Sequence, residues 1–340
     1  MAEPSRPDEP EPSNVQHSKG IGEQLAALSA AEAEKAEDVA ALVYVALGVP
    51  SRTIQRETLT LSGNAIFHAE LVDGREVAVR ISARRGSFAY TQHNLSALGS
   101  LGLIVPTVLA SGPTSTGGSF VILNWIPGRD LQFELSELSD RQATHIAETV
   151  SDWQERVTSL PESRGFGWAP IGAHAPHARW TDLFGLPATA VTPPEHAAPL
   201  ERLRGRLRAV RRDIEPYFAS LRPICFLDDL TIKNVIVEHG QLRGIIDVDF
   251  VCYGDPLLSI GTTLAHIAAD VGEAGHLYGH ELIRCAKPSA LARRAIYFYS
   301  ALWVIGFLAS TLSAGDAVRA DELTAVADHI LRTAETRLPA

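Results

Sequence analysis

Asp229 and Asn234 lie five residues apart, and Asp247 follows thirteen residues after Asn234. A short apolar run, Ile224 to Leu227, delivers two adjacent acids, Asp228 and Asp229. Val235 to Val237 and Leu242 to Ile246 read as a hairpin closed by His239-Gly240, with Asp247 at its far end. Strand, tight loop and hairpin together bring Asp229, Asn234 and Asp247 to one edge. Two hard oxygen donors suit a hydrated magnesium ion, and a further carboxylate suits a base beside a hydroxyl that attacks a phosphate ester. An isolated Asp and Asn at this spacing recur by chance. Their position between two strands and ahead of Ile246-Asp247 makes chance a poor account.

The elements that must hold this edge belong to an ordinary globular chain. Its 340 residues suffice for about two domains, and 46% hydrophobic with 21% charged residues predicts a sizeable core. Forty acids against thirty bases give a net charge of -10. That balance argues against an extended nucleic-acid surface and is compatible with a cationic small substrate. Cys225, Cys252 and Cys285 are too few and too widely spaced for a disulfide framework or a zinc site, which fits a reducing cytoplasm. Residues 1–20 carry four prolines and four acids and read as a disordered tail, the reverse of an export signal. Ala295 to Gly315 carries no charge and is long enough to span a bilayer. Its Ser300, Gly306, Ser310, Thr311 and Ser313, and its isolation, predict instead a central buried helix and no membrane partner.

A helix entered by the capping pattern Ser29-Ala30-Ala31-Glu32 closes at Gly48 and Pro50. Period-two patterning then predicts strands at 57–61, 65–72 and 75–82, with a turn at Ser62-Gly63-Asn64 and a hairpin at Asp73-Gly74. A helix over 88–101 and strands at 107–111 and 120–125 complete a small lobe over 21–127. Pro127-Gly128 punctuates the chain, and 128–340 turns helical, with Ser139 and Gln142 opening one helix as a capping box. The stretch 165–196 reads as loops around a short helix at Trp180. Over 200–218, Arg202, Arg204, Arg206, Arg208, Arg211 and Arg212 lie opposite the seam Leu203, Leu207, Val210 and Ile214, which predicts a solvated face rather than a phosphate site. His276 and His280 share a helix face without a third ligand and read as surface or core-edge histidines.

The Asp-four-residues-Asn loop with a hairpin-borne Asp resembles the catalytic loop of protein-kinase-like phosphotransferases. More closely, it is similar to the aminoglycoside phosphotransferase and choline kinase family, whose loop usually reads His-Gly-Asp-x-x-x-x-Asn, then Ile-Asp and Gly-Asp-Pro. The corresponding residues are Leu227-Asp228-Asp229, Asn234, Ile246-Asp247 and Gly254-Asp255-Pro256, and the likeness covers about residues 30 to 340. It implies an α+β bilobal protein-kinase-like fold, with a five-stranded antiparallel sheet plus helix in the small lobe and a larger, mainly helical lobe. It further implies transfer of the terminal phosphoryl group of ATP, with Mg2+, to a hydroxyl of a small molecule. By this resemblance Asp229 orients or deprotonates the acceptor hydroxyl, and Asn234 and Asp247 hold magnesium. Asp228 and Asp249 stand around them, and Asp255 fixes the following loop. Arg80, in Val77-Ala78-Val79-Arg80, takes the place of the phosphate-gripping lysine. Ser62, Gly63 and Asn64 cover the phosphates, and Asn124 to Ile126 form the hinge against adenine.

The match has departures. The loop His is Leu227, the small residue after it is Asp228, and no helix Glu stands where Arg80 expects an ion-pair partner; Thr91 and Gln92 lie near that place. Lys233, one of four lysines, either reaches the transferring phosphate, where a compact cation would offset developing charge, or is a surface loop lysine. The acids suit an amine-bearing acceptor such as an aminoglycoside, an amino sugar or choline. Leu227 and the absent Glu motivate one rival, a catalytically silent regulatory pseudokinase. A protein-directed kinase is the other, disfavoured because Gly254-Asp255-Pro256 follows Asp247 too soon to leave a peptide platform.

Overall fold

Burial alternates strictly along β2 (Ala65–Leu71) and nearly so along β3 (Glu76–Ser82), as a sheet covered on one face requires. With β1 (Ser51–Arg56), β4 (Val108–Pro113) and β5 (Ser119–Asn124) they form an antiparallel sheet in the order β1-β2-β3-β5-β4. The structure, a computed structural model, describes residues 36–57, 64–184, 194–248 and 250–336. Phe67, Ala69, Leu71, Val77, Val79 and Ile122 pack under Val39 and Val43 of α1 (Ala36–Leu47). Each such burial contributes about 1.5–3 kcal/mol for the larger side chains. Arg80 turns to the opposite face. Helix α2 (Thr91–Ser100) follows β3 and starts later than expected, because Phe88 to Tyr90 form a turn that leads into it. The first described strand, 51–56, was not expected: Ser51–Arg56 buries no residue fully, so it carries no period-two signal, and the expected strand at 57–61 lies, beyond residue 57, outside the described residues. The expected turn residues Ser62 and Gly63, the capping pattern at 29–32 and the tail lie outside the described residues.

The larger lobe carries two small sheets. In one, β6 (Arg129–Asp130), β9 (Val235–Glu238) and β10 (Gln241–Ile245) run in the order β10-β9-β6; in the other, β7 (Gly167–Ala169), β8 (Ile224–Phe226) and β11 (Val251–Gly254) run β7-β11-β8. Gly128 enters β6 at φ +124, and a Cβ there would meet the Val237 carbonyl at 2.6 Å and Ile236 Cγ2 at 2.9 Å. Only glycine lets the chain lie this close to β9. His239 and Gly240 turn β9 into β10, both at positive φ. Around the sheets stand α3 (Leu131–Glu134), α4 (Asp140–Thr158), α5 (Pro194–Asp213), α6 (Glu215–Ala219), α7 (Leu257–His266), α8 (His276–Ala286), α9 (Ala290–Ala314) and α10 (Ala317–Glu335). Helix α4 opens with the expected Ser139–Gln142 capping box.

Helix α9 is long and apolar enough to cross a membrane by length and composition, yet 67% of its most apolar window is buried inside the protein. It is the core helix that the interspersed Ser and Thr residues predict. Among the arginines after residue 200, Arg202, Arg208 and Arg212 are exposed as expected, whereas Arg204, Arg206 and Arg211 are not. Leu203, Leu207 and Val210 do form a buried seam, but Arg206 forks onto Glu335 of α10 at 2.7 and 2.8 Å. Arg211 donates to the Thr181 and Phe184 carbonyls, and Arg204 is itself buried. Arg206 and Arg211 thus tie α5 to elements far away in sequence. The expected single helix over 200–218 breaks at Ile214, with Pro216 in the first turn of α6.

Asp255 is buried and accepts from Tyr217 Oη at 2.9 Å, Tyr299 Oη at 2.7 Å and the Leu257 N–H at 3.0 Å. Trp180 Nε1 donates in turn to Tyr299 Oη at 2.7 Å. This bears out Asp255 as the residue that fixes its loop. Asp255→Ala strands one buried and one half-buried hydroxyl and an amide, so urea unfolding is expected to show a loss of about 3 kcal/mol, with Asp255→Asn losing less. Equal stability of the Ala variant and the wild type would exclude this role.

Candidate active site

Strand β8 ends at Phe226, and the loop that follows is clamped from below. Gln154 of α4 donates to the Leu227 carbonyl and accepts from its N–H, both at 2.9 Å. The Leu227 side chain is buried. An apolar residue can therefore stand at this position because a neighbouring helix satisfies the backbone. The two acids diverge: Asp228 accepts from Trp168 Nε1 of β7 at 2.6 Å, while Asp229 remains accessible.

The loop then folds back on Asp229. Its carbonyl accepts from Thr231 N–H at 2.8 Å and from Asn234 Nδ2 at 2.8 Å, and the Asn234 carbonyl accepts from Ile246 N–H at 2.8 Å. Asn234 is thus stitched both to Asp229 and to the residue before Asp247. With its amide nitrogen engaged, the Asn234 side chain has oxygen as its ligand atom. Asp247 sits at φ +55, a left-handed conformation that Asp tolerates better than most residues. Its Oδ1 accepts from Arg80 Nη2 at 2.8 Å. The Arg80 guanidinium lies 5.4 Å over the Phe88 ring, with 11% of its side chain exposed. Arg80 is therefore not left without a carboxylate: Asp247, 167 residues further along the chain, does what a helix Glu was expected to do.

Electrostatics single out one group. Asp229 opens to solvent on one side, yet the protein that hems it in pushes its carboxyl up to about 7, with Asp228 and Asp247 adding repulsion against the smaller effects of Asn234 and Lys233. Burial likewise raises Asp130, at the start of α3. The Lys233 ammonium lies 3.1 Å from Asp270 Oδ2. Burial opposes ionisation of Asp270, but His266 and Lys233 outweigh it and hold the carboxyl at about 2.

The structure thus brings Asp229, Asn234, Asp247 and Arg80 together, with Asp228 behind them and Lys233 to one side. Asn64, the last residue of the expected phosphate turn, is buried, and Asp249, like Ser62 and Gly63, lies outside the described residues. At the hinge, Asn124 is committed to Thr107: its Oδ1 accepts from the Thr107 N–H at 2.5 Å, and its own N–H donates to the Thr107 carbonyl at 3.1 Å. Ile126 packs inward. A hollow of about 600 Å³ beside α2, lined by Leu95, Leu103 and Val105 among others, shares no residue with this cluster. His276 and His280 are exposed, as expected.

Residues 60–293 match the model of the phosphotransferase enzyme family. The chain belongs to that family. Phosphotransferase structures share its bilobal α+β fold. A thermostable mutant of aminoglycoside phosphotransferase APH(4)-Ia, in its apo form, is 17% identical with a TM-score of 0.67, over 87% of this chain and 99% of that one. An alanine variant of that enzyme in ternary complex with AMP-PNP and hygromycin B gives 17% and 0.65, over 88% and 99%. Wild-type aminoglycoside 2'-phosphotransferase-IIIa with GDP gives 13% and 0.54, over 88% and 99%. No curated protein sequence matches the chain. In the phosphotransferase frame, Gln154, Trp168 and Asp270 are the supporting residues that sequence reasoning missed. Trp168, Gln154 and Asp270 belong to no local motif.

Proposed function

We propose that the chain is a kinase that moves the terminal phosphoryl group of ATP, with Mg2+, to a hydroxyl of a small amine-bearing molecule in the cytoplasm, its active cleft lying between lobes 21–127 and 128–340. The observation that carries this reading is the convergence of Asp229, Asn234 and Asp247, with Arg80 reaching them from the small-lobe sheet. Among the described residues no three His, Cys, Asp or Glu side chains gather as a self-sufficient metal cage. The oxygens of Asn234 and Asp247 suit an ion that keeps waters and arrives on nucleotide phosphates. Bound there, Mg2+ would neutralise phosphate charge. Arg80 grips the phosphates, the turn Ser62 to Asn64 covers them, and the hinge at Ile126 faces the base. Asp229 orients the acceptor hydroxyl and takes its proton; Asp228, Asp249 and Asp130 add negative charge that favours an amine-bearing acceptor.

The hygromycin-bound neighbours include alanine variants at an Asp and at two Asn residues four and five positions further on. Asp229, Lys233 and Asn234 have the same spacing, which supports a place for Lys233 in the machinery. The features that suggested a silent nucleotide binder have structural substitutes in Gln154 and Asp247. Incubation with radiolabelled ATP, Mg2+ and a panel of aminoglycosides, amino sugars and choline tests the proposal. Transfer of label to one acceptor class is expected; tight ATP binding without any labelled product or ADP release would overturn it. Because the base must be ionised, kcat/KM is expected to rise with pH to a midpoint near 7. A profile flat from pH 5 to 9 (roughly the range of ordinary assays) would exclude Asp229 as that base.

A further inference from the structure

Lysine is a poor fixed charge: its four-carbon stem rotates freely, and its ammonium is strongly hydrated. For Lys233 to act beside Asp229, something must hold it. Its backbone is pinned by the buried Ile232 side chain and by Gln132 N–H, which donates to the Ile232 carbonyl at 3.0 Å. Its ammonium is pinned by Asp270 at 3.1 Å. Asp270 lies in a π-helical stretch, Ile267–Val271, that continues α7. Such wide turns are rare and concentrate at functional sites. The Asp270 carboxylate is itself fixed from two further directions. His266 Nδ1 donates to Oδ2 at 3.2 Å, and Arg319 Nη2 of α10 donates to Oδ1 at 3.2 Å. Arg319 also donates to the Ala269 carbonyl and to Glu322. An acid braced by donors from the catalytic loop, its own helix and α10 is more than a chance surface pair, which would contribute little.

We propose that Asp270 is a positioning residue of the phosphotransfer reaction: braced by His266 and Arg319, it holds the Lys233 ammonium in one place next to Asp229 and Asn234. The inference rests on the catalytic reading of Lys233. Asp270 touches no reacting atom; it acts by keeping a mobile cation where its charge counts during transfer.

Two measurements test it, neither needing an identified acceptor. In trace acylation read by mass spectrometry, Lys287, exposed on the surface, serves as internal reference. Lys233 is expected to react more slowly than Lys287 in the wild type and several-fold faster in Asp270→Asn, with AMP-PNP and Mg2+ protecting it in the wild type only. ADP formation with water as acceptor supplies the second. Asp270→Asn is expected to lower kcat about 10-fold or more with KM for ATP little changed, since small misplacements are costly. Asp270→Glu recovers part of the loss. In a Lys233→Met background, Asp270→Asn should change kcat less than about 2-fold, because coupled residues are not additive. Equal Lys233 labelling in wild type and Asp270→Asn overturns the proposal, as do multiplicative losses in the double variant, which would mark Asp270 as a structural tie to α10. If the wild type forms no ADP with water or with any acceptor of the panel, the catalytic reading fails, and the labelling arm alone decides whether Asp270 holds Lys233.

Discussion

Asp229→Asn is expected to lower kcat by about a thousandfold, in the range attributed to a positioned proton acceptor, while nucleotide affinity stays within a few-fold and the folded protein becomes more stable at pH 8. The two effects have one origin. Asp229 is held where its charge is unwelcome, hemmed in by protein and repelled by Asp228 and Asp247, so its folded-state carboxyl is raised from 3.8 to about 7. A raised acid binds its proton more tightly when folded. Its contribution to stability is therefore most favourable below the unfolded value and declines as pH rises through 7. Asn removes the charge and keeps the shape. Its advantage in melting temperature should appear at pH 8 and vanish near pH 4. A variant with lower stability than wild type at pH 8, or with undiminished turnover, would contradict the assignment. Exposure of Asp229 on one side keeps the gain modest.

Asp247→Asn is expected to weaken nucleotide binding about 10-fold or more when Mg2+ is present and hardly at all in its absence, because a charged oxygen ligand is lost while the neutral amide keeps the space. Titration of a fluorescent ATP analogue with and without chelator measures this. Arg80→Gln separates the roles: it removes a phosphate grip, so affinity should fall under both conditions. Asp247→Asn also weakens the ion pair that Asp247 makes with the mostly buried Arg80, so a modestly lowered melting temperature should accompany the binding defect. Equal magnesium dependence in the variant and the wild type would refute a metal-holding role.

What could be read from residue order alone was whatever short-range geometry decides. Asp229, Asn234 and Asp247 are joined by one loop and one hairpin, and the His239-Gly240 turn sets the register between them, so their convergence follows from local rules. The small-lobe strands β2 and β3 announced themselves because one face is more deeply buried than the other, and β5 by its apolar run. Strand β1 did not, since an edge strand that buries little has no pattern to show. The partner of Arg80 was sought on the nearest helix but comes from the other lobe. Trp168 on Asp228, Gln154 on Leu227 and Asp270 on Lys233 are each contacts between segments far apart in sequence. No spacing rule reports such a contact; only the closed fold brings it about. Arg206 of α5 shows the same limit in reverse: its acids, Asp328 and Glu335, lie on α10, so part of a face that looks solvated in one helix is a seam between two.

The close approach at Gly128 ties the chain, just after it leaves the small lobe, to β9 of the larger one. The crossover touches β9 at Ile236 and Val237, only two residues beyond Asn234. A methyl group added at 128 would push that strand, and the displacement would surface as a magnesium phenotype in a residue that touches neither nucleotide nor ion.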